Sequence, residues 1–139
     1  MKTLLFIALL ALPCLAQAQT LNDYQHAMDK FVKYYNNKDG DSILQMWPAK
    51  TAATAGLQHM WNSQSLDHAH AEYGKITAFK FLGVDMDDPN NVKVFTTHFS
   101  IAGDKTTSLT LDADRKLGTF RFITTSDGID KLQKQAANK

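Results

Sequence analysis

Fourteen carboxylates, five histidines and one cysteine are the side chains of this 139-residue chain best suited to moving protons, ligating metals or attacking electrophiles. Their types and spacing narrow the chemistry open to them. Cys14 lies in an apolar N-terminal segment that reads as removable, so the cleaved chain has no cysteine nucleophile. Glu72 is the only glutamate. Asp39, Asp41, Asp85, Asp87, Asp88, Asp104, Asp112 and Asp114 stand in or beside expected turns and caps, where local backbone hydrogen bonds account for them. Asp23, Asp29 and Asp67 fall on expected helix surfaces. Proton abstraction of the isomerase type needs a carboxylate base and a buried acidic donor, often a tyrosine, aimed at a developing oxyanion. Tyr35, Glu72 and Tyr73 come nearest to that set, but no carboxylate falls on the expected apolar sheet face.

The histidines raise metal binding. His68 and His70 are two residues apart, which on a helix is roughly 200° of rotation and too far round for one ion. Only in a strand or turn could they share one, with His59 as third ligand; His26 and His98 have no partner at ligand spacing. Asp85-Met86-Asp87-Asp88 and Asp112-Ala113-Asp114 look like fragments of calcium loops, but neither continues into the required Gly and bidentate Glu. No glycine-rich phosphate loop and no Ser-His-Asp arrangement can be assembled. The expectation is therefore no metal and no cofactor. Tyr34, Tyr35, Trp47 and Trp61 need no function as core aromatics, and their apolar bodies with polar tips would also suit the lining of a ligand cavity.

These side chains depend on two kinds of element. Tyr24, Ala27, Met28, Phe31, Val32 and Tyr35 recur at spacings of three and four, predicting a first helix with Asn22 as N-cap and Gly40 as stop. Asp41 would cap a short second helix carrying Ile43, Leu44, Met46 and Trp47, ended by Pro48. A third stretch runs from Thr54 to Tyr73, with a break at Asn62 to Ser65 and with Leu57, Met60, Trp61 and Leu66 as its apolar positions. The second half alternates as strands: Ile76 to Val84, Val92 to Ala102, Thr106 to Asp112, and Leu117 to Thr125. Their short connections imply antiparallel neighbours.

Parity predicts the sheet's faces, because a slip of one residue turns every side chain over. A three-residue loop through Gly103, Asp104 and Lys105 sets Phe99 beside Leu109 and Thr97 beside Leu111. A two-residue turn at Asp114-Arg115 then sets Leu109 beside Phe120 and Thr107 beside Phe122. Phe95, Phe99, Ile101, Leu109, Leu111, Phe120 and Phe122 gather on the face that helices cover. The other face is polar and half-solvated, with His98, Thr110 and Thr119 in one row and Ser100, Ser108 and Arg121 in the next. It is also the surface through which a homodimer would form.

The order of a long helix, a short helix ending at Trp47-Pro48, a third helix running into Tyr73-Gly74-Lys75-Ile76, and then an antiparallel sheet resembles the cystatin-like, nuclear-transport-factor-2-like superfamily. The stretches that carry the likeness are FVKYYNNKDGDSILQMW (31–47), YGKITAFKFLGV (73–84) and LTLDADRKLGTFRF (109–122). They are most similar to small secreted bacterial members of uncharacterised function. The last hairpin departs from the family's Asp-Gly-Lys turn, since Arg115 stands in the glycine's place. The resemblance implies an α+β fold in which N-terminal helices pack on a curved, cone-shaped antiparallel sheet. It implies a cone interior able to hold a small molecule, and frequent dimerisation through the sheet. Some members are isomerases or cyclases and many are not enzymes, so fold alone leaves the chemistry open. On this frame Tyr35, Trp47, Trp61, Tyr73, Phe99 and Phe120 are the expected ligand-binding residues of the cone's interior or mouth.

Composition and the N-terminus complete the expectations. The formal charge of +1 excludes the basic field that nucleic-acid binding requires. Lys2 precedes nine apolar residues, Leu4 to Leu12, too few to span a bilayer and right for an export signal. Ala16-Gln17-Ala18 offers a cleavage site, so residues 1–18 are expected to be removed, leaving 121 residues with no transmembrane span. The residues before Cys14 do not favour a lipoprotein. The domain is expected over 19–125, followed by a tail or weak helix over 126–139, in the periplasm or outside the cell. The leading functional expectation is a non-enzymatic binding module for a small apolar ligand. The alternative is a small-molecule isomerase, cyclase or dehydratase.

Overall fold

The computed structural model describes residues 20 to 123 apart from Met86. The expected signal segment 1–18, including Cys14, and the tail 126–139 lie outside the described residues. Among the described residues, five helices precede four strands: α1 (Leu21–Asn36), α2 (Gly40–Leu44), α3 (Ala49–Ala52), α4 (Ala55–Met60), α5 (Ser63–Tyr73), β1 (Ile76–Val84), β2 (Lys93–Phe99), β3 (Gly103–Leu111) and β4 (Leu117–Ile123). The strands form one antiparallel sheet in the order β1-β2-β3-β4, and the helices pack on one face of it. The fold is therefore α+β.

Helices α1, α2 and α5 start where a side chain satisfies free amides, whereas α3 and α4 start without a side-chain cap; two caps differ from the expected ones. Thr20, not Asn22, caps α1: its hydroxyl accepts from the Asp23 amide while the Asp23 carboxylate accepts from the Thr20 amide. Asp39, not Asp41, caps α2 by accepting from the Ser42 amide and hydroxyl. Gly40 does not stop α1, which ends at Asn36 and turns through Lys38 at φ 55°. It opens α2 instead, where a Cβ would lie 2.0 Å from the Trp61 carbonyl oxygen, so only glycine lets this backbone approach the end of α4. The third helical stretch is broken at the expected place, with Asn62 capping α5 through the Ser65 amide. The short α3 was not expected.

Phe31, on the buried stripe of α1, joins the layers. Its ring lies 5.9 Å from Tyr35, 5.6 Å from Trp61 and 4.6 Å from Phe120, and Trp47 closes the cluster against Trp61 and Phe120. Ile43, Leu66, Phe95 and Leu109 complete a continuous core between helices and sheet.

β1 matches its expected span and bends at two irregularities in its pairing with β2, Ile76/Ala78 and Phe81/Gly83. The β2–β3 pairing corrects the expected register. Phe99 pairs with Gly103 and Thr97 with Lys105, while Leu109 lies opposite Lys93 and Leu111 lies beyond the β2 pairing. The turn is Ser100-Ile101-Ala102, because α5's end holds it: the Ile101 and Ala102 amides donate to the Tyr73 carbonyl and the Ser100 amide to that of Lys75. Gly103, expected as the first residue of the loop, follows the turn at φ +75°. Ile101 leaves the apolar face as a turn residue 66% exposed.

The slip moves pairs by an even count, so parity survives, and Phe95, Phe99, Leu109 and Leu111 are buried. The β3–β4 pairing agrees with expectation at Leu109–Phe120 and Thr107–Phe122. Its turn takes three residues rather than two: the Asp112 amide donates to the Lys116 carbonyl, and Arg115 adopts φ 60°. Arg115 thus accepts the left-handed conformation that the two-residue reading also demanded of it. The outer face needs two corrections. His98 does not line up with Thr110 and Thr119; it pairs with Asp104, its Nδ1 2.7 Å from the carboxylate, while Thr110 and Thr119 share a 3.0 Å hydroxyl contact. Ser100 belongs to the turn, and Ser108, with its neighbour Thr106 on central strand β3, is buried rather than solvated.

Candidate functional site

A cavity of about 160 Å³ opens between α4, α5 and the β2–β3 hairpin. Tyr35, Trp61 and Phe99 are its buried walls; Ala69, Tyr73 and Lys105 are half-buried; Met60, largely exposed, marks the rim. Three elements bring them together for local reasons. Tyr35 closes the last turn of α1, and its hydroxyl donates to the Gly74 carbonyl at 3.0 Å, fixing α1 to the end of α5. Gly74, at φ +82°, packs so closely on the hairpin turn that a Cβ would stand 2.1 Å from Ser100 Oγ. Asn36 locks the same corner, donating to the Ile76 carbonyl and accepting from its amide, both at 2.8 Å.

The site's polar groups are few. Burial, and then the nearby Tyr73, push the Tyr35 hydroxyl up to about 12, so it stays protonated and committed to Gly74. His70 stacks on the Tyr35 ring at 4.6 Å and places Nε2 2.7 Å from the Tyr35 carbonyl oxygen. The indole nitrogen of Trp61 is buried without a hydrogen-bond partner, an arrangement that costs about 1–3 kcal/mol when left unsatisfied. Thr106 Oγ1 is the other such atom among the described residues, but Thr106 lies on the outer face, away from the cavity.

Of the six expected ligand residues, the structure brings Tyr35, Trp61, Tyr73 and Phe99 to this cavity. Trp47 and Phe120 are not walls of it. Both pack in the aromatic core, and Trp47 also borders a separate groove of about 690 Å³ beside Ala49, Ala52 and Ala53. Sequence reasoning missed Met60, Ala69 and Lys105. Lys105 was missed because the expected register put it in the loop; in the observed register it is a strand residue facing Thr97 on the helix-covered side. Met60 reads in the sequence as one of several apolar helix positions, and its spacing carries no signal of the site.

Among the described residues, the carboxylates and histidines lie outside this cavity's walls. Glu72 points outward, 56% exposed, with its oxygen 3.7 Å from His68 Nε2. His68 and His70 occupy different sides of α5, and among the described residues no three His, Cys, Asp or Glu side chains are placed to hold an ion. A larger groove of about 630 Å³ runs between α1 and the β3–β4 turn. Two of its cations are already engaged: Arg115 Nε donates to Asp23 at 3.2 Å, and Lys116 Nζ donates to the Gln45 carbonyl at 2.8 Å.

Among the described residues, no helix is long and apolar enough to cross a membrane. No family model, no curated protein and no solved structure matches this chain.

Proposed function

We propose that this protein is an exported binding module that takes a small, largely apolar molecule into the cavity between α4, α5 and the β2–β3 hairpin. One observation carries the reading: a cavity walled by three aromatic rings and a tryptophan whose buried N–H lacks an acceptor. Ordered ligand sites combine such apolar walls with a few polar groups that orient the guest. The volume sets the guest's size. About 160 Å³ is comparable to a cavity that accommodates benzene and well below the roughly 300–1,000 Å³ of drug-sized sites. A single ring or a short chain with one hydrogen-bond acceptor fits that description.

The helix order, the four-stranded meander and the bends in β1 support a cone of the cystatin-like, nuclear-transport-factor-2-like type. Export is part of the proposal and rests on the apolar run Leu4 to Leu12 with Ala16-Gln17-Ala18 behind it. The isomerase alternative finds no support in the cavity, whose walls include no carboxylate and whose Tyr35 hydroxyl is engaged by Gly74.

Benzyl alcohol, a ring of suitable size with one acceptor oxygen, tests the reading. Titrated into the purified protein, it is expected to change tryptophan emission saturably and to raise the thermal midpoint. Ala69→Leu places extra methyl groups into the cavity from α5 with a residue that favours helix, and is expected to abolish binding while preserving the circular dichroism spectrum. Binding that is absent in the natural protein, or unchanged in the well-folded Ala69→Leu variant, would refute the proposal.

A further inference from the structure

Lysines stand near both ends of the helix-covered side of the β2–β3 hairpin, and they differ in one respect. Lys93 is engaged: its ammonium lies 5.2 Å from the centre of the Tyr24 ring and donates to the Asn91 carbonyl at 3.3 Å. Lys105 lines the cavity, half-buried, and among the described residues its ammonium has no hydrogen-bond or ion-pair partner. Its surroundings are unusual for a lysine. Phe99, Tyr35 and Trp61 share the cavity with it, while the Thr97 and Thr107 hydroxyls on the same sheet face bond each other at 2.9 Å. No carboxylate lines this space.

A cation at the edge of apolar walls has no countercharge to meet there unless a guest supplies an anion. The strand pairing of Lys105 with Thr97 puts the side chain on the helix-covered side, where it lines the cavity. From this we infer that the cavity selects an anionic guest, specifically a small carboxylic acid whose ring or short chain enters the aromatic walls while its carboxylate meets Lys105. The inference rests on the proposed binding function and adds the chemical class of its ligand. It also gives a role to the register of the hairpin, because the pairing expected from the sequence would leave Lys105 in a solvated loop.

Benzoate and benzyl alcohol separate the two claims, since the guests are similar in size and differ in charge. At pH 7 and low salt, benzoate is expected to bind the purified protein about tenfold more tightly than benzyl alcohol, as a charge-assisted hydrogen bond would give. The preference is expected to shrink as salt is raised. Lys105→Met keeps the length of the side chain without its charge and is expected to bring the ratio of the two affinities to about one. Benzyl alcohol binding with no preference for benzoate would overturn the carboxylate inference and leave the apolar site standing. A preference that survives in Lys105→Met would overturn it as well. Failure of both guests to bind would overturn the binding function itself and this inference with it.

Discussion

Tyr35 serves as structure and as cavity wall at once. Its ring stacks on His70, its hydroxyl holds Gly74, and burial keeps its proton to about pH 12. The sign of the resulting pH dependence follows from linkage. An unfolded tyrosine ionises near pH 10, so above that pH the unfolded chain loses a proton that the folded one retains. The stability contribution is complete below about pH 10 and is lost as pH rises from there through about 12. Absorbance titration of the phenolates should show one of the four tyrosines ionising late, and Tyr35→Phe should remove that late component. The same variant should lose about 1–2 kcal/mol of stability, because the buried Gly74 carbonyl is left without its donor.

The hairpin of β2 and β3 shows how an element's pairing is set from outside it. Its turn amides are bound by carbonyls of Tyr73 and Lys75, so the end of α5 dictates where the chain reverses. Parity within the strands is local, whereas the position of the reversal is tertiary. The hydroxyl pair of Thr97 and Thr107 offers a check on this register, because only the observed pairing brings them together across the strands. Thr97→Val and Thr107→Val should each destabilise by about 1–2 kcal/mol, since each strands a buried hydroxyl. The double variant should cost clearly less than the two combined, because neither hydroxyl then remains. Strict additivity in chemical denaturation would show that the hydroxyls do not interact.

At the scale of the molecule, the aromatic cluster around Phe31 binds the helical layer to the sheet. Phe31 is fully buried and touches rings from α1, the end of α4 and β4. Phe31→Ala should therefore cost about 3–5 kcal/mol, a large share of the 5–15 kcal/mol typical of a domain. The loss should appear as an earlier, still cooperative transition in denaturant, reported alike by tryptophan emission and circular dichroism. The cavity beside this cluster should lose guest binding in the same variant, since Trp61 is held from one side by Phe31.

What could be read from the chain alone was whatever depends on local periodicity. Alternation placed β1 to the residue, spacings of three and four marked the buried stripe of α1, and parity put Phe95, Phe99 and Leu109 on one face. Aromatic type and position were enough to propose Tyr35, Trp61, Tyr73 and Phe99 as ligand residues, and these four converge on the cavity. Trp47 and Phe120 share the same chemical character, so only packing could divide core from wall. Caps shifted by two residues because several neighbouring Asn, Asp and Thr side chains can accept an amide, and the winner depends on where the chain enters. The place of Lys105 was decided in three dimensions: α5 fixes the hairpin's reversal, and that reversal turns a lysine of apparent loop sequence toward the aromatic walls.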